Sequence, residues 1–312
     1  MIIGKAVGDY RILARWGPAE CRCVYKALHV TQRQLFAVKL LKASPAEGHP
    51  LQQAFFDRLE VAVRLENPCI ARTYPLETCQ DLSVVPSEFV HGQSLAEKIQ
   101  AGQSSFDFTL RTALQFAEAL VAAHSLGLVH GRLTPSRLMI TAEGSLKIVG
   151  FCMAFLPSEL EVVDPGPEWP PSGSTLVPLV ADAAYLSPQQ ARGTSADEGC
   201  DLYSLGRIIY ELLVGEFLIR GQTLEEIQRE VLERDFLPLN SVRHDASSIW
   251  TRILQKLLKK DPQSRCPSAQ SLLESLRELR NGIYSYSSPP PQKNRPLSRR
   301  SFFLRFLGDK TK

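Results

Sequence analysis

The residues that bear most directly on chemistry are two arginines, Arg132 and Arg137, five positions apart in the stretch that begins at His130. A third cation, Lys39, follows the short apolar run Phe-Ala-Val. Guanidinium groups stay protonated at ordinary pH and donate paired hydrogen bonds to phosphate oxygens. One chemistry open to these three residues is therefore a metal-free clamp on a phosphate group.

Hydrophobic periodicity predicts the elements that must position these cations. Apolar residues at helical spacing between Leu51 and Ala62 indicate one helix soon after Lys39. Six prolines between positions 153 and 185 exclude a continuous helix there. Further helices are predicted at 109–126, ended by Gly127, at 202–214, ended by Gly215, from Thr223 onward, at 248–259 and at 268–280.

Nine short motifs occur in the order and at the spacings found in protein kinases. Residues 130–140, HGRLTPSRLMI, resemble the family's catalytic loop H-R-D-L-K-P-x-N, and residues 147–154, KIVGFCMA, resemble its magnesium-binding K-[IL]-x-D-F-G-[LI]-A segment. The other motifs are the opening hairpin at 10–27, FAVK at 36–39, NPCI at 67–70, the hinge at 87–95, AYLSPQQ at 184–190, DLYSLG at 201–206 and KDPQSR at 260–265. The chain therefore resembles eukaryotic-type serine/threonine protein kinases, and SPQQARG at 187–193 is similar to bacterial members.

The resemblance implies an α+β, bilobal protein-kinase-like fold. A small β-rich N-lobe with one main helix would occupy about 10–86, and a larger, mostly α-helical C-lobe about 90–281. We expect an N-terminal extension at 1–9, a kinase-like domain at 10–281 and a basic tail at 282–312. A chain of 312 residues is long enough for two lobes with separate cores.

The same resemblance indicates that the positions responsible for chemistry have changed. Arg132 stands where the family has the Asp that accepts the substrate hydroxyl proton, and Arg137 where it has a magnesium-binding Asn. Gly150 replaces the magnesium-binding Asp, and Arg58 the glutamate of the N-lobe helix. No metal ligand is left among these residues, and no metal site is predicted. We expect no intact catalytic residue and a pseudokinase that is not an enzyme.

The nucleotide cleft is predicted to be degenerate. Of the three glycines of the family's G-x-G-x-x-G loop only Gly17 remains. The residues that would line the cleft are Gly17, Val24, Ala37, Lys39 and Met139. Lys39 either contacts nucleotide phosphates or is a strand lysine that reaches solvent. No cofactor is required by this prediction, and whether ATP binds is left open; if it does, it binds without magnesium.

Four other residues are expected to have structural roles and not catalytic ones. In kinases the positions of His130 and Phe151 stack in a column that joins the lobes, and the position of Asp201 anchors that column. Arg265 would normally pair with a glutamate, which here is Gln189. Glutamine can accept a hydrogen bond from Arg265 but cannot form the charge pair, so a weaker link is expected.

The charge of the chain is concentrated at its C-terminal end. The net charge is +3, and residues 281–312 alone contribute seven Lys or Arg and one Asp, or +6. Four apolar residues accompany these charges: Phe302, Phe303, Phe306 and Leu307. They could dock on a protein partner or an anionic membrane, pack on their own C-lobe, or remain solvated. The acidic remainder of the chain disfavours nucleic acid as a partner.

The leading hypothesis is a cytoplasmic scaffold or regulatory module in signalling, which binds another protein such as an active kinase; contact of the tail with a membrane surface stays one of the alternatives above. Seven unevenly spaced cysteines agree with a reducing compartment. Two alternatives stay open: a non-catalytic, metal-independent nucleotide switch, and an atypical serine/threonine kinase with residual ATP-dependent phosphotransfer.

Overall fold

The computed structural model describes residues 2–16, 24–42, 50–80, 82–151, 161–162, 180–221 and 223–285. Its first layer is an antiparallel sheet of the strands β1 (Ala6–Val7), β2 (Tyr10–Arg15), β3 (Val24–His29), β4 (Gln34–Lys42), β5 (Glu77–Cys79) and β6 (Leu82–Glu88). The strands lie in the order β1-β2-β3-β4-β6-β5. β1 pairs with β2, so residues expected to form an N-terminal extension contribute to this sheet.

Alternation along these strands creates two small cores, one on each face of the sheet. Tyr25, Val38 and Leu40 are buried in the first. The second lies under helix α1 (Pro50–Arg64), where Phe55 and Leu59 pack with Leu41. The predicted β-rich N-lobe with one main helix is therefore present.

The C-lobe is built from helices around one large core. The helices are α2 (Leu95–Gln100), α3 (Phe106–Ser125), α4 (Val180–Ala183), α5 (Pro188–Ala191), α6 (Glu198–Val214), α7 (Leu224–Glu233), α8 (Leu239–Val242), α9 (Ser248–Leu257) and α10 (Ala269–Ser285). A small sheet of β7 (Gln93–Ser94), β8 (Leu138–Ile140) and β9 (Leu146–Ile148) contributes Leu138, Leu146 and Ile148 to the same core. The bilobal α+β prediction is confirmed.

Helix α6 is the centre of the C-lobe, because nearly all of its side chains are buried. Asp197 caps its first turn by accepting from the Cys200 N–H, and Gly215 ends it in the left-handed conformation at φ +78°. Gly206 lets α9 approach closely, since a Cβ there would lie 2.6 Å from Leu257 Cβ. α6 therefore offers a rigid base for the loops above it.

The chain between Phe151 and Val180 contributes one described element, β10 (Glu161–Val162). β10 pairs antiparallel with the end of β4, Glu161 opposite Lys42 and Val162 opposite Leu41. At the other end of the chain, α10 continues to Ser285, beyond the expected end of the domain at 281. No helix among the described residues is long and apolar enough to cross a membrane.

Candidate active site

The loop at 130–137 is attached to α6 by one buried carboxylate. Asp201 accepts hydrogen bonds from the backbone N–H groups of His130 and Gly131, each over 2.8 Å. His124 Nε2 lies 3.1 Å from the same carboxylate and links α3 to it. Because Asp201 is 1% exposed, these partners compensate the cost of burying its charge.

The rings of His130 and Phe151 pack edge to face. Their ring centroids are 4.9 Å apart at an interplanar angle of 72°. His130 Nε2 lies 3.2 Å from the Val149 carbonyl, and His130 Nδ1 accepts from the Arg132 N–H. Burial lowers the pKa of His130 to about 4, so the ring is neutral at pH 7.

Arg137 projects from a short 3-10 helix, Pro135–Arg137, into a network of oxygen acceptors. Its Nη1 donates to the Arg132 carbonyl over 3.1 Å and to Thr134 Oγ1 over 3.2 Å. Its Nη2 donates to Asp182 Oδ2 over 2.7 Å. The Arg137 and Asp182 side chains are only 12% and 8% exposed, so this ion pair is largely shielded from water.

The residues at the two expected metal positions do not fit a magnesium ion. Arg137 brings a cation, and Gly150 has no side chain and adopts φ +89°. A Cβ at Gly150 would lie 3.8 Å from Arg137 Cδ, which places the two residues next to each other. Magnesium requires oxygen ligands in octahedral geometry. Within the described ranges, no cluster of three or more His, Cys, Asp or Glu residues could hold a metal.

Lys39 lies on β4, opposite Val24 on β3 and Val85 on β6. Its side chain is half-buried, and it forms no ion pair with a carboxylate in the described part of the chain. Asp57, the acidic neighbour of Arg58 on α1, is exposed and accepts from Gln53 Nε2 over 2.8 Å. Arg58 is likewise an exposed residue of α1.

The other predicted cleft residues are spread over both lobes. Val24 and Ala37 lie on β3 and β4, Met139 lies on β8, and all three are half-buried. Ser87 Oγ donates to the Ala37 carbonyl over 2.9 Å. Gly17, together with the loop at 17–23, lies outside the described residues, as do Phe302, Phe303, Phe306 and Leu307 of the tail.

Aromatic rings gather where the N-lobe meets the hinge. Trp16 and Phe89 have centroids 4.6 Å apart, and Phe89 also meets His91 at 4.7 Å. Lys26 Nζ lies 4.9 Å from the Phe89 ring centroid and 5.6 Å from that of Trp16. Sequence reasoning did not single out this group, because its members come from two separate motifs, the opening hairpin at 10–27 and the hinge at 87–95.

Arg265 donates to side-chain and backbone acceptors. Arg265 Nη2 donates to Gln189 Oε1 over 3.2 Å, and Nη1 donates to the Gly199 carbonyl over 2.7 Å. Gln189 Nε2 in turn donates to Asp197 Oδ1 over 3.3 Å. Arg265 is thus linked to the carboxylate of Asp197 through the side chain of Gln189.

A second buried cation, Arg207, contacts the start of the AYLSPQQ motif at 184–190. Arg207 Nη2 donates to Glu211 Oε1 over 2.8 Å, and Arg207 Nη1 donates to the Ala184 carbonyl. Tyr185 donates its hydroxyl to Glu211 Oε2 over 2.6 Å. Burial, with the nearby Glu211 charge, raises the pKa of Tyr185 well above its usual value. Sequence reasoning missed this cluster and Asp182, although Asp182 is the one charge in the run VADAAY.

The protein kinase domain family matches residues 10–276. This chain belongs to the protein kinase family. The crystal structure of the Mycobacterium tuberculosis PknI kinase domain superposes on it with a TM-score of 0.64, over 89% of this chain and 98% of that chain. The two are 19% identical, so the comparison with PknI supports the kinase fold alone.

Bacterial serine/threonine kinases are similar to this family member in sequence. A probable serine/threonine-protein kinase of Clostridium perfringens is 25% identical over 281 residues, 89% of this chain and 39% of that protein. PknB of Mycobacterium tuberculosis is 27% identical over 79% of this chain and 39% of PknB. PrkC of Bacillus subtilis is 27% identical over 87% of this chain and 41% of PrkC. The chain thus spans about two fifths of these curated relatives.

These names contradict one prediction. The chain was expected not to be an enzyme, yet each of these relatives is named a serine/threonine-protein kinase. The prediction took the replacement of the family's catalytic and magnesium-binding side chains by Arg132, Arg137 and Gly150 as a sign that the chain is not an enzyme. Similarity to these relatives across most of the chain points instead to a kinase enzyme. The resemblance to bacterial members is confirmed.

Proposed function

We propose that this kinase-family domain acts mainly as a regulatory binding module in serine/threonine kinase signalling, with a phosphoryl-transfer capacity well below that of its relatives. Its partner would be another protein, with an active kinase as the first candidate. The observation that carries the proposal is the ion pair between Arg137 and Asp182. In this pair, the Arg137 cation stands at the position where the resembled catalytic loop has its magnesium-binding Asn.

The chemistry of transfer supports a reduced rate. Phosphoryl transfer relies on positioning and on charge stabilisation by metal ions. A general base contributes roughly 10²–10⁴-fold, and Arg132 cannot accept a proton. Meanwhile Asp201, His130 and Phe151 keep the loop attached to the lobe. A catalytic loop that keeps its shape but has other residues at the base and metal-binding positions is better suited to binding a partner protein than to catalysis.

The direct test is transfer of labelled phosphate from ATP to the protein itself and to a generic substrate, with the PknB kinase domain assayed in parallel. We expect a rate at least 100-fold below that of PknB. A rate within tenfold of PknB that Lys39→Ala abolishes would contradict the proposal. A triple variant, Arg132→Asp, Arg137→Asn and Gly150→Asp, should raise the rate, because it supplies base and metal ligands.

A second candidate is a metal-independent nucleotide switch, favoured by Lys39 at its strand position between Val24 and Val85. Thermal melting with ATP, with and without magnesium, distinguishes the two. An increase in Tm that is equal with and without magnesium, and absent in Lys39→Ala, supports the switch. No increase supports the binding module alone.

A further inference from the structure

His124, near the end of α3, lies between two carboxylates of α6. Its Nε2 is 3.1 Å from Asp201 Oδ2, and its Nδ1 is 3.8 Å from Glu198 Oε2. The His124 side chain is only 6% exposed, and its Nδ1 makes no hydrogen bond within the part of the chain that the structure describes. One nitrogen of a buried ring therefore faces a carboxylate that it does not reach.

Neither neutral form of this ring suits both neighbours. A neutral imidazole carries a proton on one nitrogen and a lone pair on the other. With the proton on Nε2, His124 donates to Asp201, and the lone pair of Nδ1 faces the Glu198 carboxylate. With the proton on Nδ1, the lone pair of Nε2 instead faces Asp201 over 3.1 Å. Only the imidazolium, with a proton on each nitrogen, can donate to both carboxylates.

Charged groups on the other elements packed against α3 have partners of their own. Arg277 of α10 pairs with Glu118, and Lys147 of β9 pairs with a carboxylate of the hinge. The His130 ring of the catalytic loop lies with its Nε2 3.2 Å from a backbone carbonyl. Among the described residues, the two carboxylates of α6 are thus the charged groups in contact with His124.

We propose that His124 is a proton-operated clamp between α3 and α6. A proton taken up from solvent adds a donor at Nδ1, and the partly exposed Glu198 side chain then closes from 3.8 Å to the roughly 2.7–2.9 Å of a charge-assisted hydrogen bond. The N–H bond at Nδ1 is the one covalent bond that forms. Because histidine is the side chain that ordinarily changes its charge between pH 5 and 8, the clamp closes on mild acidification.

The clamp acts next to the carboxylate that holds the catalytic loop. Asp201 accepts from the backbone N–H groups of His130 and Gly131 as well as lying against His124. The stabilisation supplied by Glu198 is present at acid pH and is lost as the pH rises and His124 gives up its proton. Acid therefore joins α3, the first turn of α6 and the loop more firmly. The inference does not depend on whether the domain binds a partner protein or a nucleotide.

The test is urea denaturation of the full chain at pH 8 and pH 5.5, with the natural protein and Glu198→Gln. Glutamine keeps the size of the side chain and removes its charge. We expect the factor by which the variant raises the unfolding equilibrium constant to be at least about threefold larger at pH 5.5 than at pH 8, within the range of measured ion pairs. Other titrating groups, His130 among them, are common to both proteins and cancel in this ratio.

Two further variants serve as controls. Glu225 lies in the first turn of α7 as Glu198 does in α6, and it forms no ion pair with a histidine in the described part of the chain. Glu225→Gln loses the same kind of interaction with the helix dipole, so its factor should be equal at both pH values. In a His124→Gln background, whose amide can still donate to Asp201, the factor for Glu198→Gln should also be equal at both.

Two results would overturn the clamp: a factor for Glu198→Gln that does not change with pH, or a change that persists in the His124→Gln background. Should His124→Gln fail to fold, NMR of the carbon-bound ring protons of His124 takes its place. Their chemical shifts should follow the pH with a midpoint at least about 0.5 pH unit lower in Glu198→Gln, which is the same threefold factor expressed as proton affinity. An unchanged midpoint would refute the inference as well.

Discussion

The carboxylate of Asp201 accepts from the backbone N–H of Gly131 over 2.8 Å, although the two residues are 70 positions apart. Gly131 adopts φ +71°, so this bond holds the turn at which the catalytic loop leaves its buried start. The loop therefore keeps its path through backbone contacts that do not depend on the side chains at 132 and 137. This explains how the loop can keep its shape although its side chains at 132 and 137 differ from those of the resembled motif.

Asp201→Ala should lower the free energy of unfolding by about 3 kcal/mol, because it leaves the buried N–H groups of His130 and Gly131 unpaired at roughly 1–3 kcal/mol each. Urea denaturation followed by circular dichroism measures the change. Asp235→Ala is the matched control, since Asp235 is 91% exposed in its pair with Lys260. Its effect should stay below about 0.5 kcal/mol.

His130 should make the protein sensitive to acid. Its folded pKa of about 4 lies below the ordinary value of 6.5, so between these values the unfolded chain binds a proton that the folded chain does not. Its stabilising contribution is complete above about pH 6.5 and is lost towards pH 4, up to about 3 kcal/mol. Burial is the main cause, with Arg137 lowering the pKa and Asp201 and Asp182 raising it.

The measurement is urea denaturation at pH 7.5, 6 and 5 for the natural protein and for His130→Phe. Phenylalanine keeps a ring against Phe151 but cannot titrate. We expect the variant to be less stable at pH 7.5 and the difference to narrow as the pH falls. A constant difference over this range would show that His130 does not titrate between the two states.

Two glycines at helix ends should differ in their tolerance of a methyl group. Gly127 and Gly215 both adopt positive φ, +69° and +78°. A Cβ at Gly127 meets nothing within 4 Å, whereas at Gly215 it would lie 2.3 Å from the Gln103 nitrogen. Gly127→Ala should cost about 1 kcal/mol from backbone strain alone. Gly215→Ala should cost at least about 2 kcal/mol more, measured by thermal or urea denaturation.

The pair Arg265 and Gln189 allows a double-mutant cycle with Asp197. Gln189→Glu gives Arg265 a charged acceptor but sets a second carboxylate next to Asp197, whose Oδ1 lies 3.3 Å from Gln189 Nε2. Asp197→Asn removes that repulsion and keeps a capping oxygen for α6. We expect the free energy of unfolding of the double variant to be about 1 kcal/mol higher than the value obtained by adding the effects of the two single changes. Additivity within 0.3 kcal/mol would refute the coupling.

Much of the architecture could be predicted from local patterns. The left-handed end of α6 at Gly215 and the N-terminal cap of α7 at Thr223 follow from residue types within one helical turn. Helix ends are harder to predict: the sequence places the end of α10 at 280, whereas the helix runs to Ser285 and passes through Gly282, which does not adopt a positive φ. The predicted boundaries of the domain and its tail stay predictions.

The sequence by itself determined the family and assigned Arg132, Arg137 and Gly150 to positions of the resembled catalytic motifs, because ordered motifs can be aligned without knowledge of any contact. Only the tertiary structure decided what Arg137 does there. Its partner Asp182 lies 45 residues along the chain, beyond a proline-rich stretch whose path no periodicity predicts. The sequence does not show whether a charged side chain is hydrated or paired with a carboxylate. The difference arises only when folding buries both groups together and removes the solvent that would screen them.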